Sequence, residues 1–398
     1  MSKINVRNLS NENEDGAPDI VGVTTFSATS YFVPTKGTTA QRPPQHLEEG
    51  SIRYNTDTKN LEYYRGDTIG WAQFELIDPE LGKSGGDAGG SSIANGLGTR
   101  ALFAGGDTPT LLNTISFATL SSMGNSADFG DLSSARANSG CISNRKTIAW
   151  CGGYAPSVSN SIETAIFAST GNAVDTADLT FNTNAPSAGG GDNTRGILAG
   201  GANPSGTKQN IIQYYTFETA ANAVDFGDAT DIFFTGDSCA SSTRTVFSFG
   251  FSPTGGRVNI LEFVTTSTTG DSQDFGDLTT VRNGTGSLSN STRGVWGGGE
   301  DPARTNTIDY VTIATTGNAI DFGDMTFIRA NGQGDGASSP TRGVFSGGGS
   351  PGTSGNDNGR MNVIDKIEIL TTGNAIDFGD LIDHTSNQGV ASNNHGGL

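Results

Sequence analysis

From about residue 93 onward, apolar and polar positions alternate in runs too short for helices. Near the end of the chain, Gly343-Val-Phe-Ser346 runs into glycines. Val363 to Leu370 follows, with Val363, Ile364, Ile367 and Ile369, and after a Thr-Thr-Gly turn comes Ala375-Ile-Asp-Phe378. β-Branched and aromatic runs bounded by Gly, Asn and Thr read as short strands. In Ala319-Ile-Asp-Phe322 the alternation puts Ile320 and Phe322 on one face and Ala319 and Asp321 on the other.

These runs repeat. Thr341-Arg-Gly-Val-Phe-Ser-Gly-Gly348 has relatives beginning at Thr292, Thr243, Thr194 and Thr99, with a looser copy from Arg145 to Gly153. The arginines stand at 100, 195, 244, 293 and 342, the last three steps each 49 residues. A second marker, Gly317-Asn-Ala-Ile-Asp-Phe-Gly-Asp324, places the first aspartate of each copy at 128, 175, 225, 274, 321 and 377. The last interval is 56 because the Gly/Ser/Asn loop Gly349–Asn362 is longer. Two markers on one period define six units of four short strands. They predict an all-β chain in which residues 93–398 form a six-bladed β-propeller. A linear stack would leave two ends to be capped.

The double glycine that ends the second strand, after an opening Arg and before a variable loop, resembles Kelch repeats, whose period is about fifty residues. The resemblance spans about residues 91–398 and implies a propeller, with Asp-Phe-Gly-Asp where Kelch repeats usually carry a fourth-strand Trp. The segment Asn387 to Leu398 matches the first-strand region of a further unit, such as Asn283 to Asn290. Val390 to Asn393 is therefore expected to pair into the blade that starts near Thr99, the competing candidate being Ser91 to Asn95.

Residues 1–85 do not repeat. Residues 1–25 read as an extended arm, 26–80 as a small β-meander module and 81–92 as a Gly/Ser-rich linker. The meander strands are Ile52–Asn55, Leu61–Tyr64 and Trp71–Leu76. Val33-Pro-Thr-Lys-Gly-Thr-Thr-Ala-Gln-Arg-Pro43, Gly50-Ser-Ile-Arg-Tyr-Asn-Thr-Asp-Thr58, Leu61-Glu-Tyr-Tyr64 and Trp71 together resemble a module of tailed-phage structural proteins, especially tail fibres and marine-phage virion proteins. That resemblance implies a virion protein made in the host cytoplasm. It also implies that residues 1–80 contact other virion proteins, or a second copy of the chain, beside a displayed domain.

Composition narrows the chemistry. Only 16% of residues are charged, against about 25% in a typical soluble domain. The formal net charge is −18, of which −4 falls in the first 85 residues and −14 in the rest. So acidic a chain repels phosphate, which argues against nucleic acid and anionic membrane partners. No apolar run reaches the length of a bilayer span, and the first residues lack the apolar core of a secretory signal. Cys141, Cys151 and Cys239 form neither a disulfide framework nor a Cys-x-x-Cys pair, as expected of a chain made in a reducing cytosol.

Catalytic signatures are sparse. His46, His384 and His395 form no His-x-x-x-His pair, and histidines in Gly-rich loops read as solvated. The glycine runs lack the lysine and helix of a phosphate loop. The repeated aspartates, typified by Asp321 and Asp324, read either as a calcium-binding ring or as caps on their own turns, and recurrence in every unit favours caps. The repeated arginine reads either as a face for anionic glycans or as a tie between blades through an Asp of the Asp-Phe-Gly-Asp turn, recurrence again favouring structure. Variable loops are better binding candidates: Phe249–Gly256 with an exposed Phe251, and Gly349–Asn362 with Asn356, Asp357 and Arg360. Together with these readings, the resemblance to tailed-phage structural proteins implies a non-enzymatic tail or fibre protein, with no cofactor, whose propeller adheres to a host-surface glycan or protein. A capsid or tail decoration protein is the alternative. A glycan-cleaving enzyme is the third reading, since the repeats supply many carboxylates.

Overall fold

The computed structural model describes residues 34–42, 50–58, 60–66, 70–73, 99–252, 256–300, 302–330, 336–350 and 359–398. The expected arm (1–25) and linker (81–92) lie outside them, as does Ser91 to Asn95. The chain divides into two compact units, Met1–Asp78 and Pro79–Leu398. The described residues are all-β: they hold no α-helix, only a 3-10 turn at Thr39–Gln41, and no helix long and apolar enough to cross a membrane.

The smaller unit is a four-stranded sheet of Lys36–Gly37, Ile52–Asn55, Asn60–Tyr64 and Trp71–Gln73. The last three match the predicted meander as far as they are described. The first is an addition, a short parallel strand with Lys36 opposite Tyr54. One face carries a buried ionic cluster. The fully buried Glu62 carboxylate lies 2.5 Å from Arg42 Nη2 and 3.3 Å from Arg53 Nε, and Asn55 Nδ2 donates to it at 3.1 Å. Arg53 also donates to the carbonyls of Thr38 and Gln41, both at 2.9 Å, which fixes the 3-10 turn against this face. Burial alone would raise the Glu62 pKa, but the hydrogen bonds from Arg42 and Asn55 and both guanidinium charges bring it below the usual carboxylate range.

The larger unit holds six four-stranded antiparallel sheets. Sheet 2 is Gly140–Ser143, Thr147–Cys151, Ser161–Ile166 and Val174–Asp178. Sheets 3 to 6 follow in the same order, with first strands Ser187–Gly191, Asp237–Ala240, Gly286–Ser289 and Gly336–Ser338. Sheet 1 is composite: Arg100–Ala104, Thr114–Thr119 and Ala127–Asp131 take their first strand from Gly389–Ser392, with Val390 opposite Phe103 and Ser392 opposite Ala101. The Asn393 amide donates to the Arg100 carbonyl at 3.2 Å, and Asn394 Nδ2 lies 3.4 Å from Thr99 Oγ1. The expected pairing of Val390 to Asn393 beside Thr99 is observed.

Each core belongs to two sheets. Leu102, Ile115 and Phe129 of sheet 1 pack on Ile148, Trp150 and Phe167 of sheet 2. Five further clusters fill the spaces between sheets 2 and 3, 3 and 4, 4 and 5, 5 and 6, and 6 and 1. First strands contact their successors in chain order, and Gly389–Ser392 contacts both Gly336–Ser338 and Gly140–Ser143. Serines join them: the hydroxyl of Ser143 donates to Ser392 O (2.8 Å), Ser392 to Ser338 O (2.6 Å), Ser338 to Ser289 O (2.7 Å) and Ser289 to Ala240 O (2.9 Å). The void left among these strands is only about 20 Å³.

The fourth strands depart from simple alternation. Phe322 is 2% exposed, whereas Ile320 is 60% exposed. Ile308 opposes Gly323 and Asp309 opposes Asp321, so Phe322 is the extra residue of a β-bulge that turns its ring inward. The shared face expected for Ile320 and Phe322 is therefore corrected. The bulge brings Gly323 (φ 146°) against the next sheet, where a Cβ would meet the Gly373 carbonyl oxygen at 2.5 Å, so only glycine fits.

Candidate functional site

The repeated motifs prove to be joints. Arg100, Arg195, Arg244 and Arg293 lie with their guanidinium carbons 4.4 to 4.8 Å from the ring centroids of Phe117, Tyr214, Phe263 and Tyr310 in their own sheets. Each Nη1 then donates to a main-chain carbonyl of the next sheet: Phe167 (2.8 Å), Ser267 (3.2 Å), Ala314 (2.9 Å) and Ile369 (2.9 Å). The expected tie between units is present, but it runs to carbonyls, not to an aspartate. Burial shifts the Arg100 pKa down. In sheet 2 the place belongs to Thr147, which opposes Ile166 as Arg100 opposes Thr119, so Arg145 is not the equivalent residue.

The paired aspartates act through their main chain. The amide of the second Asp in each marker donates to an Asn or Asp side chain in the turn of the next sheet: Asp131 to Asn172, Asp228 to Asp271, Asp324 to Asn374, and Asp380 of sheet 6 to Asn125 of sheet 1 (3.0 to 3.1 Å). This replaces the expectation that each carboxylate caps its own turn. Among the described residues, no three His, Cys, Asp or Glu side chains converge as a metal site.

Buried ion pairs lie between the sheets at positions the sequence did not single out. Arg136 pairs with Glu163, Arg282 with Asp309 at 2.9 Å and Arg329 with Asp365 at 2.9 Å, all nearly or wholly inaccessible. The same carboxylates accept from Ser133, Thr279 and Thr326 in the preceding sheet. Burial draws the Arg282 pKa down despite Asp309. At the corresponding joint of sheet 4, Phe233 stands for the arginine and stacks on Phe249 (3.9 Å, 7°), while Glu262 accepts from Thr230 and Ser272. Cys141, Cys151 and Cys239 are buried, and burial pushes each thiol pKa up, which makes them unreactive.

His395 is buried, correcting the solvated reading. Its Nε2 lies 3.0 Å from Ser143 O and its Nδ1 accepts from the Gly397 amide at 3.2 Å. Desolvation lowers its pKa, outweighing the contact with Ser143 O and the charge of Asp192. His384 is half-buried, and His46 lies outside the described residues.

A cavity of about 370 Å³ is lined by the turns that enter the first strands and by loops between second and third strands. Asn138, Thr235, Gly284 and Asn387 line it in left-handed conformations, with φ between 56° and 67°. These turns present main-chain and amide groups to the cavity. Glu300, Arg304 and Arg360 supply its charge. Glu300 holds Arg257 Nη2 at 3.2 Å and Arg304 Nε at 3.5 Å, while Arg360 pairs with Asp107. Asp107 also accepts from Ser386 and Asn387, so this pair spans sheets 6 and 1.

Of the predicted loop residues, Arg360 lines this cavity. Phe251 is half-buried, not exposed: it pairs with Arg257 in a short ribbon, and the Lys208 ammonium sits 5.6 Å from its ring. Asn356 and Asp357 lie outside the described residues. Arg304 and Glu300 were missed, although a signal exists. Lys208, Arg257, Arg304 and Arg360 each pair across to the residue after the glycine end of the second strand, namely Ala202, Phe251, Glu300 and Gly349. Their spacings of 49, 47 and 56 residues equal those of the aspartate marker. No family model and no curated protein matches this chain.

Proposed function

We propose that the six sheets form a six-bladed, Kelch-like β-propeller carried by a virion structural protein of a tailed-phage tail or fibre apparatus, and that the propeller adheres to the host surface. The observation that carries this reading is the series of sheet-to-sheet cores running from sheet 6 back to sheet 1 around a polar cavity. Residues 26–80 serve as the assembly module that contacts other virion proteins or further copies of the chain. Binding rather than turnover is assigned to the cavity. A sugar-cleaving site needs two facing carboxylates, whereas Glu300 is the single carboxylate among the described residues of the lining and is held by two arginines.

The test has two parts. Mass spectrometry of gradient-purified particles should find the chain, and labelled full-length protein should bind host envelopes and reduce phage adsorption. Presence in particles without envelope binding would replace adhesion by decoration. Absence from particles would end the virion assignment.

A further inference from the structure

The cavity is lined by two arginines, Arg304 and Arg360, in a strongly acidic protein. Lys208, Arg257, Arg304 and Arg360 occupy one equivalent position in four consecutive sheets, just before or at the start of the third strand. Among the described residues, Glu300 is shared by Arg257 and Arg304, and Asp107 is taken by Arg360. Lys208 has no carboxylate partner among the described residues and rests over Phe234 and Phe251 at 5.7 and 5.6 Å.

Donor capacity remains on this arc. Arg304 uses only Nε in its contact with Glu300, and its Nη1 lies over the Gly349 backbone, where a Cβ would stand 3.0 Å away. Arg360 gives Nη2 to Asp107, while its Nε is buried without a partner. Planar guanidinium groups with uncommitted N–H donors match carboxylate oxygens. The rest of the wall consists of amides, hydroxyls and turn backbone from Asn138, Thr235, Asn283, Ser386 and Asn387, which suits a polyhydroxylated ligand. A volume of about 370 Å³ lies within the range of small-ligand sites and fits a sugar unit better than a folded partner.

We infer that this cavity and its basic arc bind a uronate-bearing saccharide, with its carboxylate on Arg304 and Arg360 and its hydroxyls on the amide rim. The inference rests on the adhesion reading only for its biological setting. The ligand seats in the cavity, and the next acidic unit of a chain reaches along the arc toward Arg257 and Lys208.

The experiment is calorimetric titration of the full chain with trigalacturonate, with maltotriose as the neutral control. Trigalacturonate should bind at least tenfold more tightly than maltotriose and should weaken as salt rises. Arg304→Gln, which leaves the Arg360–Asp107 pair in place, should lower trigalacturonate affinity about tenfold with an unchanged melting temperature. Lys208→Gln should lower it less. Equal affinity for both sugars, no binding to either, or full affinity in Arg304→Gln would overturn the inference. Adsorption of Arg304→Gln protein to host envelopes separates the two readings. Unimpaired adsorption with lost trigalacturonate binding places adhesion elsewhere on the surface, which contradicts a role for this site in it. Trigalacturonate binding without envelope adsorption sustains the saccharide site and removes the adhesion reading.

Discussion

Arg342 and Ser121 stand 221 positions apart in the chain, yet Arg342 Nη1 donates to the Ser121 carbonyl at 2.9 Å and to that of Leu120 at 3.1 Å. This is the sheet 6 to sheet 1 version of the tie that Arg100, Arg195, Arg244 and Arg293 make elsewhere. In sheet 6, Lys366 opposes Val344 at the site of the usual aromatic ring, and Arg342 instead pairs with Glu368 at 3.3 Å. Arg342→Met keeps the aliphatic stem and removes both carbonyl bonds. Charged hydrogen bonds contribute about 1.5–3 kcal/mol, with partial exposure pulling toward the lower end. Urea denaturation should show a loss of about 1–2 kcal/mol, and an unchanged midpoint would refute the tie.

Removal of Gly389 to Leu398 takes the first strand from sheet 1 and exposes Arg100–Ala104 along its whole inner edge. It also removes the Gly389 carbonyl that accepts from the buried Trp150 Nε1 at 3.2 Å. Calorimetry of the shortened chain should show a sharply lowered melting temperature together with aggregation, the expected fate of a bare strand edge. A transition matching the full chain would contradict this pairing.

Arg329 and Asp365 are fully inaccessible and 2.9 Å apart. Arg329→Met leaves a buried carboxylate supported, among the described residues, by Thr326 alone, which should cost about 3–5 kcal/mol. The double variant Arg329→Met with Asp365→Leu removes both charges and should recover most of that loss. A double-mutant cycle in guanidinium chloride measures the coupling, and strict additivity of the two changes would show that the pair is not coupled.

His395 sets an acid limit. Its folded pKa is lowered by burial, so on acidification through about pH 6.5 the unfolded chain takes up a proton that the folded chain does not. Stability is fully present above that pH and falls below it, by up to about 1.4 kcal/mol per pH unit, until the folded-state pKa is reached. His395→Gln should flatten this part of the stability curve between pH 7 and 5. An identical slope in the variant would assign the acid sensitivity to other groups.

What the sequence revealed depended on whether a position keeps its residue type. The recurring Arg, Gly-Gly and Asp-Phe-Gly-Asp gave the period and the four-strand unit, and the likeness of Asn387–Leu398 to Asn283–Asn290 gave the origin of the strand that completes sheet 1. The buried ion pairs escaped notice because their site varies: Ser116, Glu163, Gln213, Glu262, Asp309 and Asp365 all face the same kind of joint. The bulge at Phe322 was hidden because alternation carries no mark of an extra residue. The basic arc was obscured by loop length, since Arg304 follows Gly299 by 5 residues and Arg360 follows Gly348 by 12. Arg145 attracted attention by its identity, whereas register assigns its place to Thr147.

Asn394 touches Thr99, but the chain then runs on among the other sheets. His395 lies against Ser143 of sheet 2, Gly396 against the carbonyls of Ala240 and Asn290, and Gly397 against that of Gly191. These last residues are packed where the first strands converge, and the glycines leave no space there for a Cβ. One short glycine-bearing segment thus touches first strands from four sheets at once, and a side chain introduced at Gly396 or Gly397 would press on all of them together.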